Sequence, residues 1–245
     1  MEVYHMSLGI AVLDAVLVYL IGSISFARLV VRFWAPGKDV TNIEIPVEGT
    51  EDRYKVLSIG ANSVSSALGP KAGMAVSVLD ILKILIPTLL FKLIFPEQPA
   101  YALIAAVAGM VGHIWPVYHQ FHGGSGFSAV LGGLLVIDWL AALLSPVAGL
   151  LLGMIVFRNM VVASLSWLWL LIPWFWWRTD GDIRYILYAI AVNVLFILAM
   201  IPDIKMATKY KSEGKYIEYG LGSLKSHPMG RSMLKIAKFF GVEVK

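Results

Sequence analysis

The sequence predicts an all-α membrane protein that crosses the bilayer several times, and three observations carry that prediction. Hydrophobic residues make up 58% of the 245-residue chain against 15% charged, and mean hydropathy is +0.76, far from the balance of a soluble globular domain. The apolar residues gather in segments long enough for a helix to cross a ~30 Å hydrocarbon layer, and no stretch shows the alternating pattern of a membrane barrel. Basic residues are unevenly spread: nine of the twenty follow Pro202, which puts the C-terminus in the cytoplasm, because basic flanks stay inside. Cysteine is absent, so disulfides and thiolate metal sites are excluded. No nucleic acid partner is expected.

About seven spans are expected. The first runs from Ser7 to Phe33, with Glu2 and His5 ahead of it in place of a cationic leader, and is read as a retained helix. It holds Asp14, and near its end Arg28 and Arg32 share a face with Ser25. Arg32 is placed to snorkel to headgroups, whereas Arg28, one turn deeper, can face a polar cavity. Residues 35–58 carry five acidic and three basic side chains and form a loop, with a short β-ribbon through Val40 to Val47.

The second span, Ala72–Phe95, contains Asp80 and Lys83, three apart. They can neutralise each other as a pair joining helices, or border a substrate cavity. A third span covers Tyr101–Val117, a fourth Phe127–Leu140 and a fifth Leu144–Phe157; the last two are short enough to suggest tilt or re-entrance. The sixth, Val161–Trp177, ends in an aromatic belt of Trp174, Trp176 and Trp177, and the seventh covers Tyr185–Ile201. Seven spans put the N-terminus outside and leave the first, third and fifth connections cytoplasmic, with Lys38, Arg53, Lys55, the histidine–glycine segment and Arg158. Residues 1–204 are thus an integral domain of the cell membrane. Residues 205–245 are a basic cytoplasmic tail, in which Gly230–Phe240 reads as an amphipathic helix on anionic lipid.

This orientation gathers the candidate chemistry on the cytoplasmic face. In GHIWPVYHQFHGGSGF, Gly112–Phe127, the loop Gly123, Gly124, Ser125 and Gly126 can turn backbone N–H groups inward around a phosphate, or simply make a tight turn. His113 can act as a base, or be a buried structural imidazole. His119 and His122 have no carboxylate beside them in the loop, so no metal site is expected. Upstream, Ser58–Gly73 reads as a helix start where Ser58, Asn62, Ser63 and Ser66 bind an anion, or as small residues that let helices pack closely.

The run SIGANSVSSALGPKAGMAVSVLDILK, followed by GHIWPVYHQFHGGSGFSAVLGGLL, resembles the bacterial acyl-phosphate:glycerol-3-phosphate acyltransferase family. GSISFARLVVR, Gly22–Arg32, is similar to that family's first helix, and the likeness covers about residues 15 to 140 in unbroken order. It implies a small integral enzyme of five to seven spans with its motif loops in the cytoplasm. Such an enzyme moves a fatty acyl group from acyl phosphate to the 1-hydroxyl of glycerol 3-phosphate, giving lysophosphatidic acid, without a metal or nucleotide cofactor. Its partners are those two substrates and membrane lipid.

The site expected from these readings has His113, Ser63 and Ser66 as catalytic groups. Gly60, Asn62, Gly123, Gly124, Ser125, Gly126, Arg28, Asp80 and Lys83 bind substrate. The sequence departs from the family pattern at several of these positions. Ser125 stands where the glycine loop has lysine, Val56 where the first loop has serine, Ser63 where it has asparagine and Ser66 where it has arginine. The third motif, His-x-x-Asn, falls near Met200 and Asp203.

Each lost charge-assisted bond to phosphate weakens a site by ~1.5–3 kcal/mol. Replacement cations are therefore expected from Arg28, Lys71, Lys83, Arg158 or the tail residues Lys205, Lys209 and Lys211. The alternative is a catalytically altered or inactive relative, acting as a lipid-binding or scaffold membrane protein or a small transporter, although no internal repeat of the transporter kind is evident. Three or more basic side chains within reach of Gly123–Gly126 would favour the enzyme, and a loop plugged by apolar side chains the alternative.

Overall fold

A computed structural model of the chain describes residues 6–41, 44–46, 53–55, 58–157 and 160–212, together with Lys235 and Lys238. Helices α1 (Leu8–Gly22) and α2 (Phe26–Trp34) lead into a two-stranded antiparallel ribbon, β1 (Glu44–Pro46) with β2 (Arg53–Lys55), in which Glu44 pairs with Lys55. Then follow α3 (Ala61–Leu68), α4 (Pro70–Ile94), α5 (Pro99–Ile114) and α6 (Phe127–Ile137). The C-terminal half holds α7 (Trp139–Leu151), α8 (Met160–Trp169), α9 (Leu171–Arg178) and α10 (Ile183–Ser212). Among the described residues five stretches are long and apolar enough to cross a membrane: Leu8–Trp34, Pro70–Ile94, Pro99–His119, Trp139–Val156 and Ile183–Pro202. The chain is therefore an all-helical integral membrane protein apart from its small ribbon, which covers part of the expected Val40–Val47 segment. Leu13 and Leu17 on α1 and Ile86 and Leu90 on α4 are exposed, as lipid-facing side chains should be.

Four of the expected spans differ from the structure. The first is not one helix from Ser7 to Phe33: it breaks at Ser23–Ser25. The Ser23 hydroxyl and the Ser23 N–H both donate to the Tyr19 carbonyl, at 2.8 Å and 2.9 Å, and the Ile24 carbonyl is taken by Lys83 Nζ at 2.7 Å. Irregular backbone at this depth is tolerated because protein groups bond it. The fourth and fifth spans do not meet between Leu140 and Leu144. The turn lies at Asp138, whose Oδ1 accepts the N–H groups of Leu140 and Ala141 at 3.0 Å and 3.1 Å and so starts α7 earlier.

The sixth span is split between α8 and α9. Pro173 cannot donate to the Trp169 carbonyl and its ring crowds it, while Asn193 Nδ2 takes the Leu168 carbonyl at 2.9 Å. In the expected aromatic belt Trp176 and Trp177 are exposed, but Trp174 turns inward and donates to Asp138 Oδ2 at 3.1 Å. Of the Gly230–Phe240 helix, only Lys235 and Lys238 belong to the described residues; both are helical and exposed. Arg158 and Val56 lie outside them.

Two buried clusters hold the fold. The larger joins α4, α5, α6, α7, α8, α9 and α10 through Ile84, Met110, Leu134, Ala141, Leu168, Phe175, Tyr188 and Phe196. The smaller joins α2, α3 and α4 through Val30, Val31, Val64 and Val76, and brings in Val40 and Ile59. The first helix packs most extensively on α5. A Cβ added to Gly112 would lie 2.2 Å from the Tyr19 carbonyl oxygen and one on Gly22 2.3 Å from that of Gly109, so glycine alone permits this backbone approach. Gly112→Ala is expected to destabilise the protein by about 1–3 kcal/mol through overpacking. Gly9→Ala, whose nearest neighbour would be the Ser7 hydroxyl at 3.9 Å, should leave the thermal midpoint in detergent unchanged or slightly raised.

Candidate active site

A small cavity opens where the α1–α2 break, the middle of α4, the end of α5 and the glycine loop meet. Helix α4 supplies Asp80 and Lys83, which one helical turn sets on neighbouring positions. Their side chains are 3% and 4% exposed and their charged groups are 2.7 Å apart. Lys83 Nζ also donates to the Ile24 carbonyl, so one ammonium neutralises the acid and ties α4 to the break in the first span. The Phe26 ring lies 5.8 Å from that ammonium, a cation–π contact.

The last turn of α5 brings His113, 7% exposed, to the same acid. Its Nδ1 is 3.6 Å from Asp80 Oδ1, longer than a hydrogen bond but close enough to be drawn in when the site is charged. The other edge of the imidazole faces the glycine loop: a Cβ on Gly124 would sit 2.2 Å from His113 Nε2. The Gly124 N–H donates to the His113 carbonyl at 3.0 Å, and the Gly123 carbonyl accepts the Ile59 N–H at 2.8 Å. The loop is thus held from both sides by backbone bonds, and the Gly124 N–H is not open to a ligand.

Before the glycines the loop is strained. Gln120 and Phe121, with φ of 52° and 60°, occupy the left-handed region, at a cost of about 1–3 kcal/mol each. The Phe121 N–H to the Pro116 carbonyl and the His122 N–H to the His119 carbonyl, both 3.0 Å, hold them there. His122 Nδ1 lies 2.6 Å from the Gln120 carbonyl.

The structure brings together on the cavity Asp80, Lys83, His113, Gly123 and Gly124 of the expected residues. It places the others around it. Arg28 donates to the Ser25 hydroxyl at 3.1 Å and to the His122 carbonyl at 2.9 Å, beside the cavity wall. Gly60 packs against Gly124, its added Cβ 3.8 Å from that Cα. The Ser63 hydroxyl is turned onto Gly60, accepting from its N–H at 3.0 Å and donating to its carbonyl at 2.8 Å. The Ser66 hydroxyl donates to the Asn62 carbonyl at 3.1 Å, and both residues are exposed. These two serines cap and brace α3 and do not line the cavity. Ser125 is half-buried outside the lining, and Gly126 begins α6 with a φ of 95°. Met200 packs on the larger core, while the Asp203 side chain lies outside the described residues.

The sequence reading missed Gly22, Ser23, Ile24 and Ile59 as cavity walls. The run of small and hydroxyl residues at Gly22–Ser25 was the available signal. Lys83 and His113 in the lining, with Arg28 bonded to the residue before Gly123, are three basic side chains within reach of the loop, and the cavity is not plugged by apolar groups.

Comparison with known proteins points the same way. The profile of the family described as glycerol-3-phosphate acyltransferase matches residues 12–209. A glycerol-3-phosphate acyltransferase of Myxococcus xanthus (strain DK1622) is 35% identical over 148 residues, 60% of this chain and 69% of the relative. One of Aquifex aeolicus (strain VF5) is 32% identical over 127 residues, 52% and 59% of the two chains. The chain spans about six-tenths of the length of several such relatives. Among solved structures, PlsY, an integral membrane glycerol 3-phosphate acyltransferase, superposes in its glycerol 3-phosphate form with a TM-score of 0.65 at 26% identity, covering 86% of this chain and 96% of that one. Its lysophosphatidic acid form gives 0.64 at 25% identity, covering 87% and 98%. With its profile matched over residues 12–209 and its helices laid out like those of PlsY, this chain belongs to the glycerol-3-phosphate acyltransferase family.

Proposed function

We propose that the chain transfers a fatty acyl group from acyl phosphate to the 1-hydroxyl of glycerol 3-phosphate, forming lysophosphatidic acid and releasing inorganic phosphate. The observation that carries this reading is the meeting of Asp80, Lys83 and His113, from two helices, with Gly123 and Gly124 on one cavity. Family membership supports it, as do the glycerol 3-phosphate and lysophosphatidic acid forms of PlsY. In the reaction the hydroxyl oxygen attacks the acyl carbonyl carbon, and the bond from that carbon to the phosphate oxygen breaks with its electrons on phosphate. His113 Nε2 takes the hydroxyl proton, and Asp80, across from Nδ1, stabilises the imidazolium. Lys83 has three N–H donors; with two directed at Asp80 and Ile24, one remains for a phosphate oxygen.

Gly60, Asn62, Ser63, Ser66, Ser125 and Gly126 act in this scheme as the frame that holds the loop and α3 in position. No metal or nucleotide cofactor takes part. The wall carries the ionisable groups of Asp80, Lys83 and His113 beside the hydroxyl residues Ser23 and Ser25, so the cavity receives polar headgroups while the acyl chain extends into the surrounding lipid. In the topology we assign, all seven segments cross the membrane, α6 and the α8–α9 pair included. The N-terminus is outside, residues 205–245 form a cytoplasmic tail, and the site opens to the cytoplasm. The basic residues after Pro202 support that orientation.

Purified protein given acyl phosphate and glycerol 3-phosphate should form lysophosphatidate. Gly124→Leu, which drives side-chain atoms into the His113 ring, should abolish the reaction. His113→Gln should lower kcat by about 10²–10⁴-fold, the usual contribution of a general base. Absence of product from the wild-type chain would refute the proposed activity, and an unchanged kcat in His113→Gln would remove the base from the scheme.

A further inference from the structure

We infer that Arg28 forms a second anion subsite at the mouth of the cavity, which receives a phosphate group of one of the two substrates; this rests on the acyl-transfer reading above. The need for it is electrostatic. Acyl transfer brings two phosphorylated molecules into a small space, and the positive charge inside is already engaged: Lys83 is paired with Asp80 at 2.7 Å and bonded to the Ile24 carbonyl at 2.7 Å. The loop from His119 to Gly126 contains no lysine or arginine, and the Gly124 N–H is bonded to the His113 carbonyl. A second phosphate therefore needs a cation from outside the loop.

Arg28 is built for that place. One guanidinium nitrogen, Nη1, donates to the hydroxyl of Ser25, and Nη2 donates to the carbonyl of His122. Ser25 is itself a wall of the cavity, and His122 immediately precedes Gly123, another wall. The guanidinium is thus fixed between two edges of the opening by two of its five N–H donors, and three remain. A planar fork held in this way matches two phosphate oxygens with little further loss of side-chain freedom, which a lysine on a flexible stem cannot do. Its position also explains a feature left over from the sequence. Arg28 and Arg32 lie on one helix, yet only Arg28 turns to the loop, while Arg32 is exposed. Among the described residues the acidic group that acts on Arg28 is Asp39, whose Oδ1 accepts the Thr41 N–H and hydroxyl at 2.7 Å and 2.6 Å.

A brace between α2 and the glycine loop would use the same two bonds, so the test separates binding from bracing. KM for acyl phosphate, KM for glycerol 3-phosphate and inhibition by inorganic phosphate are measured for the wild-type chain, Arg28→Ala, Arg28→Gln and Arg28→Lys, with glycerol as an uncharged acceptor. The inference expects Arg28→Ala to raise the KM of one phosphorylated substrate by about tenfold or more and to weaken phosphate inhibition in step. Arg28→Lys should recover part of the loss. A rise confined to glycerol 3-phosphate, absent with glycerol, assigns the subsite to the acceptor; a rise in the acyl phosphate KM with either acceptor assigns it to the donor. If Arg28→Ala does not fold, Arg28→Gln gives the same reading, because it keeps N–H donors for bracing and loses the charge. Unchanged KM values and phosphate inhibition, with only kcat or thermal stability lowered, would overturn the inference and leave Arg28 as a brace. Should the wild-type chain show no turnover, titration with inorganic phosphate still decides: binding lost in Arg28→Ala and Arg28→Gln supports the subsite while the activity fails, and binding equal in all four chains refutes it.

Discussion

A helix broken inside a membrane exposes backbone groups that lipid cannot bond, and here one ammonium group meets that demand. Lys83 donates to the Ile24 carbonyl at the break and pairs with Asp80 one turn away on α4. Each part requires the others. Lys83 without Asp80 would be a buried uncompensated cation, Asp80 without Lys83 a buried anion, and the break without Lys83 would leave a bare carbonyl. Because the break forms one wall of the cavity and Asp80 stands beside His113 in its lining, the same three-way contact that permits the fold also assembles the site.

The glycine loop depends on this arrangement from the other side. It is fixed by the Ile59 N–H and the His113 carbonyl, and strain at Gln120 and Phe121 is borne by bonds to Pro116 and His119. The absence of side chains at Gly123 and Gly124 lets the loop lie directly against His113. A rigid frame of this kind suits a reaction whose catalysis comes from positioned charge. The cavity is polar and small while the surfaces of α1 and α4 outside it are apolar. Such a division of surfaces fits amphiphilic substrates with a charged head and a long chain.

Much of this was legible in the sequence. Hydrophobic length located α4, α5 and α10, and helical spacing put Asp80 beside Lys83. The Gly-Gly loop and His113 were marked by composition, and the structure does bring them to that pair. The break at Ser23–Ser25 was not legible, because hydroxyl residues sit comfortably within continuous membrane helices and the deciding partner, Lys83, is 59 positions from Ile24. Asp138 was passed over as a residue inside a span although its side chain starts a helix, since apolar sequence on both sides hid the turn. Ser63 and Ser66 drew attention as hydroxyls near a conspicuous loop. Their bonds go to their own helix, a local competition for backbone groups that a motif alone does not reveal.

The claim that the Asp80–Lys83 pair underlies both fold and site is tested most directly by a double-mutant cycle on thermal unfolding in detergent, using Asp80→Asn, Lys83→Met and the combined variant. Each single change should cost about 3–5 kcal/mol by stranding one buried charge, and the double variant should be more stable than at least one single variant because neither charge remains. Additive losses in the double variant would contradict the account, because they would mean that the two side chains stabilise the protein independently.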